Sequence, residues 1–189
     1  KPAWIWLYAA AWALERLGNA ADPGLLGRAG SRSSTSRMPR FTHLLTVTAS
    51  VLLGEALAAV LAKDPSPKLA TLATLMVEPT FRLAQENPGF RRYIKAFSLE
   101  LSLEEGSALS LVQRHGGGGE GGKALGQRLR VALPHLDESR YRQRMEMAVV
   151  FCAAAIARHA RQPKAFQGPA AEAYLATLIE SLAGLLSAP

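Results

Sequence analysis

The sequence contains a single cysteine, Cys152, and therefore cannot form a fold held together by disulfide bonds. Because Cys152 lies in an apolar run, we expect a small buried side chain in a reducing, cytoplasmic setting. Metal ligands are also scarce. No histidine stands at ligand spacing from another His, Cys or Asp, so we expect no metal site and no cofactor. The histidines are His43, His115, His135 and His159.

Long apolar runs, alternating strand patterns and catalytic motifs are missing as well. The apolar stretch Ala3–Leu14 is too short to span a bilayer, so no membrane association is expected. Ala and Leu dominate while Val, Ile and Thr are sparse, which predicts an all-α chain. No Gly-x-Ser-x-Gly motif occurs, and the adjacent Glu104 and Glu105 point to different sides of a helix. An enzyme is therefore not expected.

A glycine-rich stretch, Gly116–Gly122, is followed by Lys123 and resembles a phosphate-binding loop. That motif needs Ser or Thr after the lysine and a strand before the first glycine. Here Ala124 follows the lysine, and a predicted helix precedes the glycines. We therefore expect a mobile loop rather than a nucleotide site.

Acidic residues are absent between Pro23 and Gly54, where four arginines surround the serine-rich run 31–37. Residues 1–43 carry a net charge of +4, and the remaining residues carry only +3. Hydroxyl and arginine side chains bind phosphate oxygens, although a solvated loop would have the same composition. We expect Arg32 and Arg37 to read bases. The expected phosphate contacts are Arg28, Ser33, Ser34, Thr35 and Arg40.

The last two predicted helices, Asp137–Arg161 and Pro169–Leu186, each carry two apolar faces. One face would enter the core, and the other would form a four-helix seam between two copies of the chain. The alternative is that other helices of the same chain cover both faces. The candidate dimer residues are Met145, Val149, Cys152, Ile156, Leu175, Leu178, Ile179 and Leu182.

Large soft and aromatic side chains recur in the central predicted helices. Helix bundles place apolar ligand pockets between their helices, so these side chains are candidates for a pocket lining. An ordinary hydrophobic core is the alternative. The candidates are Met76, Phe81, Phe97, Met147 and Phe151.

Four segments resemble the TetR family of transcriptional regulators. Residues 7–21 are similar to the family's first helix, and residues 25–30 to its second helix and turn. Ser31–Arg40 would then fall on the recognition helix. Arg82–Phe90 resembles a family turn, and Ala132–Glu138 resembles the approach to the dimerisation helix.

The resemblance implies an all-α chain of two domains. Residues 1–45 would form a three-helix helix-turn-helix unit, and residues 46–189 a helical ligand-binding and dimerisation domain. The implied function is a homodimeric repressor that binds double-stranded operator DNA and responds to a small apolar effector. Gly24, Gly27 and Pro39 weaken the DNA-reading helices. The alternative is therefore a helical, dimeric small-molecule-binding protein that has lost sequence-specific DNA reading.

Overall fold

The computed structural model describes residues 38–114 and 118–189, with side chains from residue 50 onward. Within these ranges the chain is all-helical, which confirms the predicted fold class. The predicted DNA contacts Arg28 to Arg37 lie outside the described residues, as does His115. The helices are α1 (Met38–Leu61), α2 (Leu69–Glu86), α3 (Pro88–Leu103), α4 (Ala108–Arg114), α5 (Glu120–Ala132), α6 (Glu138–His159) and α7 (Gly168–Ser187).

The described part of helix α1 starts within the segment Ser31–Arg40, which the resemblance assigned to the recognition helix. Met38 is the first residue that the structure describes, and the backbone is helical from there through Pro39 and Arg40. Arg40 therefore lies on α1.

Helix α2 lies at the centre of the fold and contacts α1, α3, α5 and α7. It continues through Pro79 and buries side chains on most of its circumference, among them Val77, Phe81 and Ala84. Helix α7 packs along α2 and α6, and its Leu175, Leu178 and Leu182 enter the same core. The core of the described region is thus built around a single helix that touches four others.

Three arginine side chains join helices or cap helix ends. Arg82 on α2 donates through Nη2 to Oε2 of Glu172 on α7, at 2.8 Å. Arg91 on α3 donates through Nε to the Ala84 carbonyl at 2.7 Å, near the C-terminus of α2. Arg144 on α6 donates to carbonyl oxygens at the end of α7. The last carbonyls of a helix lack intrahelical partners, so these contacts stabilise both ends.

The mobile-loop prediction is wrong for residues 120–122. Helix α5 begins at Glu120, so Gly121 and Gly122 form part of its first turn. Gly121 lies directly against the backbone of α1 at Ser50 and Gly54. The absence of a side chain, which suggested flexibility, here permits two helices to approach closely.

Candidate ligand-binding cavity

A cavity of about 220 Å³ lies among α2, α3, α4 and α6. Its wall is mostly apolar, and each of the four helices supplies at least one side chain. The lining residues are Met76, Thr80, Phe90, Tyr93, Ile94, Phe97, Val112, Val149, Cys152, Ala153 and Ile156.

Helical spacing explains how α3 and α6 build the two longest walls. On α3, Phe90, Tyr93 and Phe97 recur at intervals of three and four residues, so they share one face. The ring centroids of Phe90 and Tyr93 lie 5.7 Å apart, and those of Tyr93 and Phe97 lie 5.8 Å apart. The α6 wall repeats the spacing with smaller side chains, including Cys152 and Ala153.

The short helix α4 closes one side of the cavity through Val112. Its first turn is held by Glu146 of α6. That carboxylate accepts from the hydroxyl of Ser107 and, at 3.2 Å, from the backbone N–H of Leu109. A carboxylate at a helix N-terminus satisfies free N–H groups and favours the helix dipole. Glu146 therefore fixes the position of α4 relative to α6.

No lining residue carries a charge at neutral pH. Burial raises the pKa of the Cys152 thiol to about 12, so the thiol stays protonated. Thr80 and Tyr93 are the two lining residues that carry hydroxyl groups. In the part of the chain that the structure describes, no group of acidic, His or Cys side chains could hold a metal ion.

An aromatic cluster surrounds His159 at the C-terminal end of α6. The imidazole is only 6% exposed, and it stacks on the Tyr174 ring with centroids 3.7 Å apart. Phe166 meets its edge at 5.2 Å. Neither ring nitrogen makes a hydrogen bond within the described residues. Burial lowers the pKa of His159, an effect partly offset by the nearby Ala165 backbone, so the neutral ring is favoured.

Comparison with known families identifies the region that holds this cavity. A family model described as "Tetracyclin repressor-like, C-terminal domain" matches residues 74–188, which is more than half of the chain. The chain belongs to the TetR family. Every lining residue of the cavity falls within the matched range, which starts just before Met76. Searches of curated proteins and of solved structures found no match.

The TetR-family assignment makes the chain a regulator in general terms. No helix in residues 38–114 or 118–189 is both long and apolar enough to cross a bilayer.

The structure separates the five candidate pocket residues of this TetR-family chain. Met76 and Phe97 line the cavity. Phe81 is 0% exposed and packs in the core against the His159 ring, so it does not reach the cavity. Met147 is 57% exposed on the outer side of α6, and Phe151 is half-buried against the core without lining the wall. These last three side chains lie outside the wall of this cavity.

Sequence reasoning missed most of the wall, although part of the signal was available. Phe90 and Tyr93 stand at the same spacing as Phe97 and could have been grouped with it. Ile94 shares that spacing as well, whereas Val112 has no such signal, because only packing brings α4 beside α3 and α6.

The eight candidate dimer residues mostly face the interior of one subunit. Val149, Cys152 and Ile156 line the cavity, and Ile179 is half-buried. The other four are buried in the core, so they offer no free surface to a second copy. Helices of the same chain pack against the face that carries these residues, whereas Met147 and Ala154 on the second apolar face of α6 are exposed. The buried four are Met145, Leu175, Leu178 and Leu182.

A different stripe of α6 and α7 is exposed. On α6 it contains Met147, Val150, which is 46% exposed, and Ala154. On α7 it consists largely of small side chains that permit close approach. The small exposed residues on this side of α7 are Ala173, Ala176, Thr177, Ser181 and Gly184, and the exposed Glu180 lies on the same face. We call these residues together the outer stripe.

Proposed function

We propose that this TetR-family chain is a ligand-responsive transcriptional regulator that acts as a homodimeric repressor on double-stranded DNA in the cytoplasm. The observation that carries this proposal is the apolar cavity inside the region that matches the family's C-terminal domain. Apolar cavities between helices are typical ligand sites. A small apolar effector is therefore the expected signal.

All but one of the proposed DNA-binding residues precede α1 in the chain. They lie in a segment without acidic residues and are Arg28, Arg32, Ser33, Ser34, Thr35 and Arg37, together with Arg40 on α1. Their positive charge favours phosphate binding, and Arg32 and Arg37 are proposed to read bases. Helix α1 thus connects the proposed DNA-binding segment with the helices that surround the cavity.

The proposed mechanism is a shift between two conformations of the dimer. Helix α2 supplies Met76 and Thr80 to the cavity wall and also packs against α1. A ligand that contacts α2 can therefore favour one position of α1 over another. Only a ligand that binds one conformation more tightly shifts the population. The disfavoured conformation would be the one in which both DNA-binding segments match successive major grooves.

The outer stripe supports the homodimer. The exposed residues Met147, Val150 and Ala154 of α6 and the small exposed residues of α7 suit close packing of helices from two copies. Two helices from each subunit would form a four-helix arrangement around a twofold axis. This placement replaces the buried residues in the interface first inferred from the sequence.

Selection of duplex DNA from a random pool by the full chain tests the function. A repressor should enrich one sequence, and that preference over bulk DNA should persist as salt rises. The double variant Arg32→Ala/Arg37→Ala should lose the enriched duplex. A matched variant, Arg140→Ala/Arg161→Ala, removes the same charge from exposed positions outside the proposed site and should retain it.

Equal binding by the two double variants would refute the site assignment. Failure to enrich any sequence, with affinity that collapses as salt rises, would instead favour the dimeric small-molecule-binding protein that has lost specific DNA reading.

A further inference from the structure

The chemistry of the cavity wall restricts the ligand more narrowly than apolarity alone. The wall contains no Asp, Glu, Lys, Arg or His, and its thiol is held in the neutral form. An anionic ligand would lose hydration on entering and would find no countercharge. Carboxylates and phosphates are therefore poor candidates.

The aromatic and sulfur-containing side chains of the wall favour a flat aromatic ligand. Three rings follow one another along α3, and the planes of Tyr93 and Phe97 are inclined by only 27°. Aromatic rings prefer offset stacked or edge-to-face partners. The sulfur atoms of Met76 and Cys152 add polarisable contacts, which also favour aromatic rings.

The volume sets the size of the molecule. An apolar cavity of roughly 150 Å³ accommodates benzene. The cavity here measures about 220 Å³, so it would hold a larger ring system at ordinary packing density.

We propose that the cavity binds an uncharged, planar aromatic molecule of about ten non-hydrogen atoms, such as a fused two-ring compound with a single hydroxyl. The proposal rests on the ligand-responsive function proposed above. Thr80 and Tyr93 are the two lining residues with hydroxyl groups, and the proposal places the ligand's hydroxyl beside Thr80. Small side chains at Cys152 and Ala153 leave the space that the rings occupy.

A matched set of three probes tests charge and planarity separately in calorimetric titrations of the full chain at neutral pH. The first is 1-naphthol, which is flat and uncharged. The second, 1-naphthoate, keeps the rings and adds a charge. The third, decahydro-1-naphthol, keeps the hydroxyl and carbon skeleton but is not flat.

We expect 1-naphthol to bind with a Kd on the order of tens of micromolar. The naphthoate should bind at least about 100-fold more weakly because its charge is desolvated. The saturated alcohol should bind about tenfold more weakly because it lacks the aromatic contacts. Absence of naphthol binding, or equal affinity for either of the other probes, overturns the proposal.

Cavity variants locate the binding site. Ala153→Leu fills the space beside Cys152 and should reduce naphthol affinity at least about tenfold. Ala96→Leu makes the same change on the exposed side of α3 and should bind like the unmodified chain. If circular dichroism shows that Ala153→Leu is misfolded, the smaller change Thr80→Val takes its place. Thr80→Val should reduce the affinity for naphthol and leave the affinity for naphthalene unchanged. Unchanged naphthol affinity in a folded cavity variant overturns the site.

These titrations contain no DNA, so their outcome is independent of DNA recognition. Specific DNA binding without naphthol binding refutes the ligand class and leaves the regulatory function intact. Naphthol binding without any selected DNA sequence refutes the repressor and leaves the ligand class intact.

Discussion

A methyl group on Gly121 would lie 2.7 Å from the backbone nitrogen of Gly54 and 2.8 Å from the carbonyl oxygen of Ser50. Helices α1 and α5 therefore meet backbone against backbone, at a separation that no other residue type allows. The contact joins α1, which follows the proposed DNA-binding segment, to the first turn of α5. Substitution of Gly54 should be tolerated better than substitution of Gly121. A methyl group on Gly54 would lie 3.7 Å from the Cα of Gly121, which is an ordinary van der Waals distance.

Gly121→Ala should lower the free energy of unfolding by about 1–3 kcal/mol, because the backbone atoms in its way cannot move aside as a side chain can. Chemical denaturation monitored by circular dichroism measures the loss. Gly54→Ala should cost much less than Gly121→Ala.

Gly122→Ala provides the matched control for Gly121→Ala. Nothing lies within 4 Å of the added methyl group, and the residue is in the same helical turn. This variant should gain about 0.5–1 kcal/mol from the higher helix propensity of alanine. Equal effects of the two substitutions would contradict the close contact between α1 and α5.

The buried imidazole of His159 predicts that stability falls under mildly acidic conditions. Burial lowers its pKa in the folded chain below the usual value near 6.5. As the pH drops below that value, His159 binds a proton in the unfolded chain but stays neutral in the folded chain. The free energy of unfolding should then fall by up to about 1.4 kcal/mol per pH unit until the folded-state pKa is reached. At pH values above the unfolded-state pKa, the buried neutral His159 causes no loss in the free energy of unfolding.

His159→Phe keeps an aromatic ring in contact with Tyr174 and removes the proton. Denaturation curves across the mildly acidic range should show a weaker pH dependence in this variant. His135→Phe alters an exposed histidine and should preserve the pH dependence of the unmodified chain. A His159→Phe variant with the original pH dependence would show that other groups cause it.

The outer stripe predicts which substitution separates the subunits. Val150→Glu introduces a carboxylate at the centre of the stripe, where the dimer would remove it from water. Sedimentation equilibrium should give a dimer at least roughly tenfold weaker. Val131→Glu makes the same change on α5, at a side chain that is 76% exposed, and should leave the dimer unaffected. A monomeric unmodified chain, or a dimer insensitive to Val150→Glu, would rule out this interface.

The contacts of the Glu146 carboxylate predict that this residue holds α4 in place beside the cavity. Glu146→Ala removes the acceptor for Ser107 and Leu109, so the first turn of α4 should open more often. Hydrogen exchange should accelerate at residues 108–114 and remain unchanged in α7. Glu105→Ala alters a neighbouring exposed carboxylate and serves as the control. If the backbone amides of α4 exchange at the same rate in both variants, the packing of Leu111 and not Glu146 holds α4 in place.

Sequence reasoning predicted the helices well because each element carries its own period. The boundaries of α6 and α7 differ from the predicted ones by only one or two residues. The errors arose where a residue's local preference was outweighed by its surroundings. Pro39 reads as a helix end but lies in helical backbone on α1, and Gly121 reads as a flexible position but lies where two helices cross.

The candidate site was only partly predictable. Apolar residues on α6 were recognised, but periodicity does not state which neighbour each face meets. Val149, Cys152 and Ile156 were assigned to a second subunit and line the cavity instead, while Met147 was assigned to the pocket and lies outside. Two apolar faces on one helix are interchangeable in the sequence, since both have the same spacing.

The sequence by itself determined the all-α class, the positions of the long helices and the resemblance to the TetR family, because these depend on local propensity, periodicity and short motifs. Only the tertiary structure decided which faces enclose the cavity, which faces stay exposed and where α5 meets α1. Those features depend on contacts between residues far apart in the chain. A glycine-rich stretch carries no information about its distant partner until the helices are packed together.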